Sequence, residues 1–315
     1  MTDFQQTLAT ITDYIKADIF PGASLALYDG KAWQEYYQGT QDGCVPVVPG
    51  LTYDLASVSK VVGVGTLCLF YLQADKLDLD EKLSTYYPAV ENKTLTLRQL
   101  LSHSSGIDPF IPNRDELDQE GLIAAINAIK VRDDKPFLYT DINFILLGLM
   151  LEKLSGQSLD KLFDSEVFQP FGMSETQFGP VGIAVPTVKG IPGGTVHDPK
   201  ARVLKEHTGS AGLFSTLKDL EIFVNHYLTD DFAKHLTKNI SQSKKERSVA
   251  WDLQGDWILH TGYTGTFVLI NIPAQCAAIF LSNRTYYKDE RAQWIKDRDA
   301  LIEIIKKELI REAVK

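Results

Sequence analysis

The apolar positions divide the chain into strand-like segments near its two ends and helical segments between them. After an opening helix that ends before Pro21, residues 23–39 contain two strand-like runs separated by Asp29-Gly30. An Asp-Gly pair between two such runs is typical of a β-hairpin. Near the other end, a helical stripe of apolar residues predicts a final helix over 289–315. Before it, four short apolar runs predict strands at residues 249–253, 257–260, 267–272 and 277–282.

The middle of the chain has mostly helical periodicity. Helices are predicted at residues 57–74, about 96–105, 117–130, 141–154 and 217–227. Glycine and proline crowd residues 179–194, which predicts a long loop, since neither a helix nor a central strand tolerates that composition.

Strands at both ends of a chain can join in one sheet around the segment between them. We therefore predict an α+β fold, in which an antiparallel sheet is flanked by the N- and C-terminal helices and carries an inserted, mostly helical domain. The sheet domain comprises residues 1–56 and 196–315, and the inserted domain comprises residues 57–195. The cleft between the two is the predicted catalytic site, because sites often lie at such boundaries.

The charge balance restricts the partners. Of 315 residues, 32 are basic and 41 are acidic, which gives a net charge of −9. This charge repels nucleic-acid phosphates and anionic lipids, so we expect neither nucleic acid nor a membrane as a partner. The expected partner is a small-molecule or peptide-like substrate, and the composition leaves the oligomeric state open.

Three features predict a cytoplasmic protein. The cysteines Cys44, Cys68 and Cys276 form no Cys-x-x-Cys pair, which favours buried, reduced thiols. The first twenty residues have no basic segment followed by an apolar one, as a secretory signal would. The longest apolar run, residues 61–72, is shorter than the roughly 20 residues that cross a bilayer.

Several catalytic signatures are absent from the sequence. There is no Gly-x-Ser-x-Gly elbow, no phosphate-binding loop and no His-Glu-x-x-His, and the six histidines show no metal-ligand spacing. We therefore predict that the protein uses neither a metal nor an organic cofactor.

The sequence contains four Ser-x-x-Lys pairs, which are Ser57/Lys60, Ser158/Lys161, Ser215/Lys218 and Ser241/Lys244. On a helix, positions i and i+3 share a face, so the lysine amine can contact the serine hydroxyl. Three of the pairs lie in acidic or polar surroundings typical of exposed segments. Ser57/Lys60 alone leads into a long apolar helix, which we expect to bury the lysine and lower its pKa. Asp54 is predicted to cap this helix and to place Ser57, the predicted nucleophile, in its first turn.

Ser57-Val58-Ser59-Lys60 resembles the first motif of the serine β-lactamase and penicillin-binding-protein superfamily. Further segments resemble the class C-like branch, which includes D,D-peptidases and esterases, in order and spacing over about residues 20–285. They are Leu100–Ile107 (LLSHSSGI), Tyr139-Thr140-Asp141 before an apolar helix, Val196–Ala201 (VHDPKA), Ala211–Thr216 (AGLFST) and His260-Thr261-Gly262.

The resemblance implies an acyl-enzyme mechanism. Ser57 would attack a carbonyl carbon, and Lys60 and Tyr139 would exchange its proton and pass one to the leaving group. Taken without the resemblance, Tyr139 is more simply an aromatic side chain that lines the cleft. The backbone amides of Ser57 and Tyr263 would form the oxyanion hole. Gly262 would let the strand edge approach the substrate backbone.

Two residues depart from the pattern of the superfamily. Asp141 stands where most relatives carry Asn, and an ionised carboxylate only accepts hydrogen bonds, whereas an amide also donates them. His260 stands where the penicillin-handling members carry Lys, and we expect it to be only partly charged near neutral pH. Both changes are expected to remove positive potential from the place where a substrate carboxylate would bind, which argues against efficient β-lactamase activity.

The sequence thus predicts a serine hydrolase that cleaves an ester or amide through an acyl-Ser57 intermediate. One alternative is a D,D-carboxypeptidase or β-lactamase that acts on penicillin-like substrates. Another is a non-catalytic binding protein that uses the same cleft. His103 is interpreted as a hydrogen-bonded structural residue, and for His207 a structural role is favoured over a position at the border of the cleft.

Overall fold

The computed structural model describes residues 4–313. Within them the strands, in chain order, are β1 (Gly22–Tyr28), β2 (Trp33–Gly39), β3 (Thr52–Asp54), β4 (Gln177–Phe178), β5 (Leu213–Thr216), β6 (Asp252–Gln254), β7 (Trp257–Thr261), β8 (Phe267–Asn271) and β9 (Cys276–Ser282). Six of them form an antiparallel sheet in the order β2-β1-β9-β8-β7-β6. A smaller antiparallel sheet has the order β3-β5-β4.

The helices lie mostly between the strands from the two ends. They are α1 (Gln5–Lys16), α2 (Thr66–Gln73), α3 (Leu83–Tyr86), α4 (Leu97–Leu101), α5 (Gln119–Asn127), α6 (Ile142–Ser155), α7 (Leu159–Phe163), α8 (Gln169–Phe171), α9 (Pro199–Leu204), α10 (Leu217–Thr229) and α11 (Arg291–Ala313). Short 3₁₀ segments occur at Ala56–Val58, Arg114–Glu116, Lys205–His207 and Asp231–Ala233, and π-helical turns at Val61–Gly65 and Asp164–Phe168.

The six-stranded sheet separates two apolar clusters. Successive side chains of a strand point to opposite faces, so Leu25 and Leu27 of β1 pack with α1 and α11, while Ala26 faces the larger cluster. That larger cluster includes the apolar side chains of α2, α6 and α10. The helical segments therefore cover one face of the sheet, and the two terminal helices cover the other.

The terminal helices are joined by a buried carboxylate. Glu308 of α11 accepts hydrogen bonds from the Thr7 hydroxyl at 2.7 Å and the Thr7 amide at 3.0 Å. This contact links residues about 300 positions apart and holds the N- and C-terminal helices together on the sheet.

The predicted fold class is confirmed in these elements, with differences in detail. The helix expected over 57–74 is a 3₁₀ turn, a π turn and then α2, and the strand expected from 249 begins only at Asp252 because Ala250 has φ +70°. The small sheet of β3, β4 and β5 was not predicted, since its strands are only two to four residues long. The domain boundaries stay a prediction, and the end of the last predicted helix, residues 314–315, lies outside the described residues.

Two expectations about buried groups need correction. Cys68 and Cys276 are buried, and burial raises the pKa of each thiol to about 12, but Cys44 is exposed.

The segment Ala56–Gln73 has the length and apolar character of a membrane span, with a mean hydropathy of 1.3 over 18 residues. The length of the apolar run alone is therefore no argument against a span, but 78% of this window is buried inside the protein, as in a core helix.

Candidate active site

Ser57 lies in the 3₁₀ turn that follows β3. The preceding residue, Ala56, has φ +47°, an uncommon conformation for a residue with a side chain and one that is often associated with functional sites. Buried Asp54 holds this turn, because its carboxylate accepts from the Ala56 amide and from the His197 amide, both at 2.7 Å. Burial raises the pKa of Asp54 to about 6. Asp54 thus does not cap a helix as predicted. Its carboxylate joins the Ser57 turn to the segment at His197 by hydrogen bonds.

Lys60 is fully buried and points at Ser57. Its ammonium group donates to Ser57 Oγ at 2.8 Å, to Asp141 Oδ1 at 2.7 Å and to the Ser210 carbonyl at 2.8 Å. These three contacts use all three ammonium protons. The predicted contact between the serine and the lysine is therefore present.

The other three Ser-x-x-Lys pairs make different contacts. Ser158 Oγ bonds to Asp160, Ser215 Oγ bonds to Thr176, and Ser241 Oγ bonds to Ser243. Among residues 4–313, Ser57/Lys60 is the pair in which the lysine donates to its serine.

The environment of Lys60 raises its pKa instead of lowering it. Burial alone lowers the pKa of Lys60, but the Asp141 carboxylate and the Tyr139 phenol act in the opposite direction and outweigh it. The expectation of a lowered lysine pKa is therefore wrong. At neutral pH the side chain is an ammonium that donates to Ser57 Oγ.

Lys200, to which the sequence interpretation gave no role, shares the Asp141 carboxylate. It lies in the first turn of α9, with Nζ 3.0 Å from Asp141 Oδ2 and 3.4 Å from Asp198 Oδ2. Burial raises the pKa of Asp141, but the charges of Lys60 and Lys200 outweigh it and hold that pKa below its ordinary value. Asp141 was expected to reduce the positive potential of the site. Lys200 adds a positive charge beside it and so offsets that reduction.

Tyr139 is 39% exposed and lines the cleft beside Lys60. Its ring centroid is 5.2 Å from Lys60 Nζ, and its ring lies over His103 with a centroid distance of 4.3 Å. Tyr139 precedes α6, whose first turn begins just after Asp141. The residues just before α6 therefore place the Tyr139 phenol and the Asp141 carboxylate next to Lys60.

The turn after β7 is bonded to the Ser57 turn by two threonines. Thr264 Oγ1 donates to the Asp54 carbonyl and Thr266 Oγ1 donates to the Leu55 carbonyl, each at 3.0 Å. The Tyr263 amide makes no hydrogen bond to another residue within 4–313, and Arg284 Nε fixes the Tyr263 carbonyl at 2.9 Å. These bonds hold the turn that contains Tyr263 against the Ser57 turn.

Gly262 is required by packing inside the protein. A Cβ atom there would lie 2.1 Å from Thr266 Oγ1 and 2.7 Å from the Leu55 carbonyl oxygen. The predicted reason, a close approach to the substrate, is thus not needed to explain this glycine. Its absent side chain allows the two turns to meet.

The two histidines beside Tyr139 are buried. His260 is 3% exposed and does not line the cleft, and its ring centroid lies 6.3 Å from that of Tyr139. Burial, together with the charges of Lys60 and Arg247, holds the pKa of His260 well below its usual range, so the prediction of a partly charged side chain is wrong. His103 Nδ1 is 2.9 Å from Asn143 Nδ2, as a structural histidine would be.

The cleft in front of Ser57 has a volume of about 610 Å³. Its lining includes apolar side chains, which are Pro109, Ile111, Ile142, Val188 and Ile191. It also includes four cations, which are Arg114, Lys200, Arg202 and Arg291, and three carboxylates, which are Asp141, Asp198 and Asp289. Within the described part of the chain, no group of three or more His, Cys, Asp or Glu side chains has an arrangement suited to a metal ion.

A family model described as Beta-lactamase matches residues 8–302 of the chain. The chain belongs to the Beta-lactamase family. Its relatives include a protein of Escherichia coli named as a D-alanyl-D-alanine carboxypeptidase, 24% identical over 326 residues, which cover 81% of this chain and 75% of the relative. The prediction of a hydrolase from the superfamily of serine β-lactamases and penicillin-binding proteins is confirmed at this level.

Solved structures confirm the β-lactamase/transpeptidase-like fold. EstCE1, a hydrolase with promiscuous acyltransferase activity, has a TM-score of 0.74 and 18% identity, covering 94% of this chain and 97% of its own. A class C β-lactamase from Rhodobacter sphaeroides has a TM-score of 0.71 and 19% identity, covering 94% of this chain and 99% of its own.

Proposed function

We propose that this protein is a serine hydrolase that cleaves an ester or amide through an acyl-Ser57 intermediate. The observation that carries the proposal is the 2.8 Å hydrogen bond from the buried Lys60 ammonium to Ser57 Oγ at the edge of the cleft. This bond orients the hydroxyl, and the positive charge favours the alkoxide that forms as Ser57 attacks a carbonyl.

The proton of Ser57 goes to Tyr139 in this proposal. Lys60 already holds three protons and uses all of them in hydrogen bonds, so it has no lone pair with which to accept another. Only a phenolate oxygen can accept a proton, so the proposal requires Tyr139 to act in that form; its ring centroid lies 5.2 Å from Lys60 Nζ. Tyr139 then gives the proton to the leaving group. In the second step Tyr139 takes a proton from the attacking water and passes it to Ser57 Oγ as the acyl–oxygen bond breaks.

The oxyanion of the tetrahedral intermediate is assigned to the amides of Ser57 and Tyr263. The Ser57 amide belongs to the first turn of a short helix, where backbone N–H groups lack partners within the helix. One such donor typically lowers the barrier by about 2.7–4 kcal/mol. Gly262 contributes by packing, and His260, which is buried and does not line the cleft, is assigned no substrate contact in this proposal.

A D,D-carboxypeptidase is the second candidate. The carboxypeptidase name of the Escherichia coli relative favours it, and so do the arginine and lysine side chains in the cleft, since such a substrate ends in a carboxylate.

A cytoplasmic location and the absence of a membrane partner stay predictions from the sequence.

Hydrolysis of p-nitrophenyl butyrate, measured beside nitrocefin and a peptide ending in D-Ala-D-Ala, tests the proposal. We expect turnover of the ester and labelling of Ser57 by a fluorophosphonate, both abolished in Ser57→Ala. Ser158→Ala is the matched control, because Ser158 belongs to a Ser-x-x-Lys pair without the lysine contact, and it should keep full activity. Efficient release of D-Ala would favour the second candidate. A native protein that neither turns over any substrate nor is labelled would favour the non-catalytic binding protein, and the proposal would be wrong.

A further inference from the structure

Lys200 presents a hydrogen-bond donor to the cleft next to the candidate catalytic lysine. Its side chain lines the cleft and is 15% exposed. Asp198 accepts from the Ala201 amide at 2.8 Å and so begins the helix that holds Lys200 in place. The lysine is therefore positioned by the fold and is not a freely moving surface side chain.

Counting donors distinguishes Lys200 from Lys60. Lys60 uses its three protons on three acceptors within 2.8 Å. Lys200 has two acceptors among residues 4–313, Asp141 at 3.0 Å and Asp198 at 3.4 Å. At least one N–H of Lys200 is left for a ligand, since an ammonium group carries three.

The charges around the cleft select an anionic ligand. Each carboxylate in the lining is already engaged inside the protein, Asp141 and Asp198 by Lys200 and Asp289 by Arg284. Arg202 and Arg291 also line the cleft, and neither has an ion-pair partner among the described residues. The charge available to a ligand is therefore positive, although the whole chain carries −9.

We infer that Lys200 binds a carboxylate of the substrate and so determines specificity for acidic esters or amides. Asp141 and Lys200 together then supply what one Asn amide combines, an acceptor for Lys60 and a donor toward the cleft. This inference rests on the proposed function, because it assigns a substrate class to the same site.

Paired esters measure this preference directly. The mono-p-nitrophenyl ester of glutaric acid carries an acyl carboxylate, and p-nitrophenyl butyrate is its neutral counterpart. A third ester, 3-carboxy-4-nitrophenyl butyrate, carries the carboxylate on the leaving group and shows on which side of the scissile bond Lys200 acts. The readout is the ratio of kcat/KM for each acidic ester to that for the neutral ester.

In Lys200→Met we expect this ratio to fall by about tenfold or more for one acidic ester, as the loss of a hydrogen bond to a charged group implies. Lys200→Arg should keep most of the preference, because it keeps the charge. Lys205→Met is the matched control, since Lys205 is exposed close by without lining the cleft, and its ratio should equal that of the native protein. An unchanged ratio in Lys200→Met, or an equal loss on all three esters, would overturn the inference and leave Lys200 a structural role.

Failure of the proposed function is recognised separately. Native protein that hydrolyses no ester and is not labelled at Ser57 would refute the proposed function alone. Calorimetric titration with glutarate then tests Lys200 without catalysis. We expect binding that weakens by about tenfold or more in Lys200→Met, and equal binding by both proteins would overturn the inference.

Discussion

Replacing Asp141 by Asn tests the ionic centre of the site. The carboxylate accepts from Lys60 at 2.7 Å and from Lys200 at 3.0 Å, whereas an amide can accept from one of them and turns its own N–H groups toward the other. Lys60 keeps Ser57 and Ser210 as partners, so the ammonium is not left entirely unpaired. We expect Asp141→Asn to lower the free energy of unfolding by about 2–4 kcal/mol at pH 7. This lies between the about 1.5–3 kcal/mol of one hydrogen bond to a charged group and the about 3–5 kcal/mol of a broken buried pair.

The pH dependence of this difference provides a second, independent check. Burial raises the pKa of Asp141, but Lys60 and Lys200 outweigh it and hold the folded-state pKa below the unfolded value of about 3.9. A carboxylate whose pKa is lowered by folding stabilises the protein fully above the unfolded pKa, and loses this contribution as the pH falls toward the folded value. The difference between native protein and Asp141→Asn should therefore be constant from about pH 7 to 5 and shrink below about pH 4.

Urea unfolding over this pH range measures both effects. Asp80→Asn is the control, because Asp80 forms a close two-bond pair with Arg98 but is 63% exposed, and its loss should cost at most about 1 kcal/mol. Equal losses in Asp141→Asn and Asp80→Asn would refute the view that the buried pair stabilises the site. A difference that stays constant down to about pH 3 would refute the assignment of the effect to the Asp141 charge.

Three further substitutions have defined outcomes. Gly262→Ala should lower the free energy of unfolding by about 1–3 kcal/mol, because the added Cβ would lie 2.1 Å from Thr266 Oγ1, and urea unfolding measures it. Glu308→Ala removes the bonds to Thr7 and should lower the same free energy by about 1–3 kcal/mol; an unchanged urea midpoint would contradict this. Burial raises the pKa of Asp54 to about 6, so native protein should lose up to about 3 kcal/mol as the pH rises from about 4 to 6. Asp54→Asn should not show this decline when urea midpoints are compared over the same range.

The main strands and helices were predictable because the patterns of apolar residues that indicate them are local and periodic. The hairpin of β1 and β2 follows from alternating residues around Asp29-Gly30, and α6 follows from a continuous apolar segment after Asp141. The small sheet was missed because β4, with two residues, is too short to show any period. Its strands are held by pairing with β5, which no local pattern reveals.

The Ser57–Lys60 contact was also predictable, since a spacing of three residues and a buried helix place both side chains on one side. The charge of Lys60 was not. Its pKa depends on Asp141, 81 residues further along the chain, and Asp141 depends in turn on Lys200 in the first turn of α9. An argument from the burial of Lys60 alone predicts a lowered pKa, which is the wrong direction. It includes the desolvation of the ammonium group and omits the Asp141 carboxylate, which raises the pKa. His260 shows the same limit, since its neutrality results from burial and from Lys60 and Arg247, which come from different segments.

In the proposed mechanism, an aspartate instead of an asparagine at position 141 affects proton transfer as well as the charge that a substrate meets. An amide at this position would leave the buried Lys60 without a carboxylate, and burial would then act to lower its pKa. Such a lysine could lose a proton and accept the one from Ser57. With Asp141 present, Lys60 keeps its proton and serves as a donor, so the acceptor for the Ser57 proton has to be another group. In the proposed mechanism that group is Tyr139, which lies exposed in the cleft beside Lys60 and next to the His103 ring.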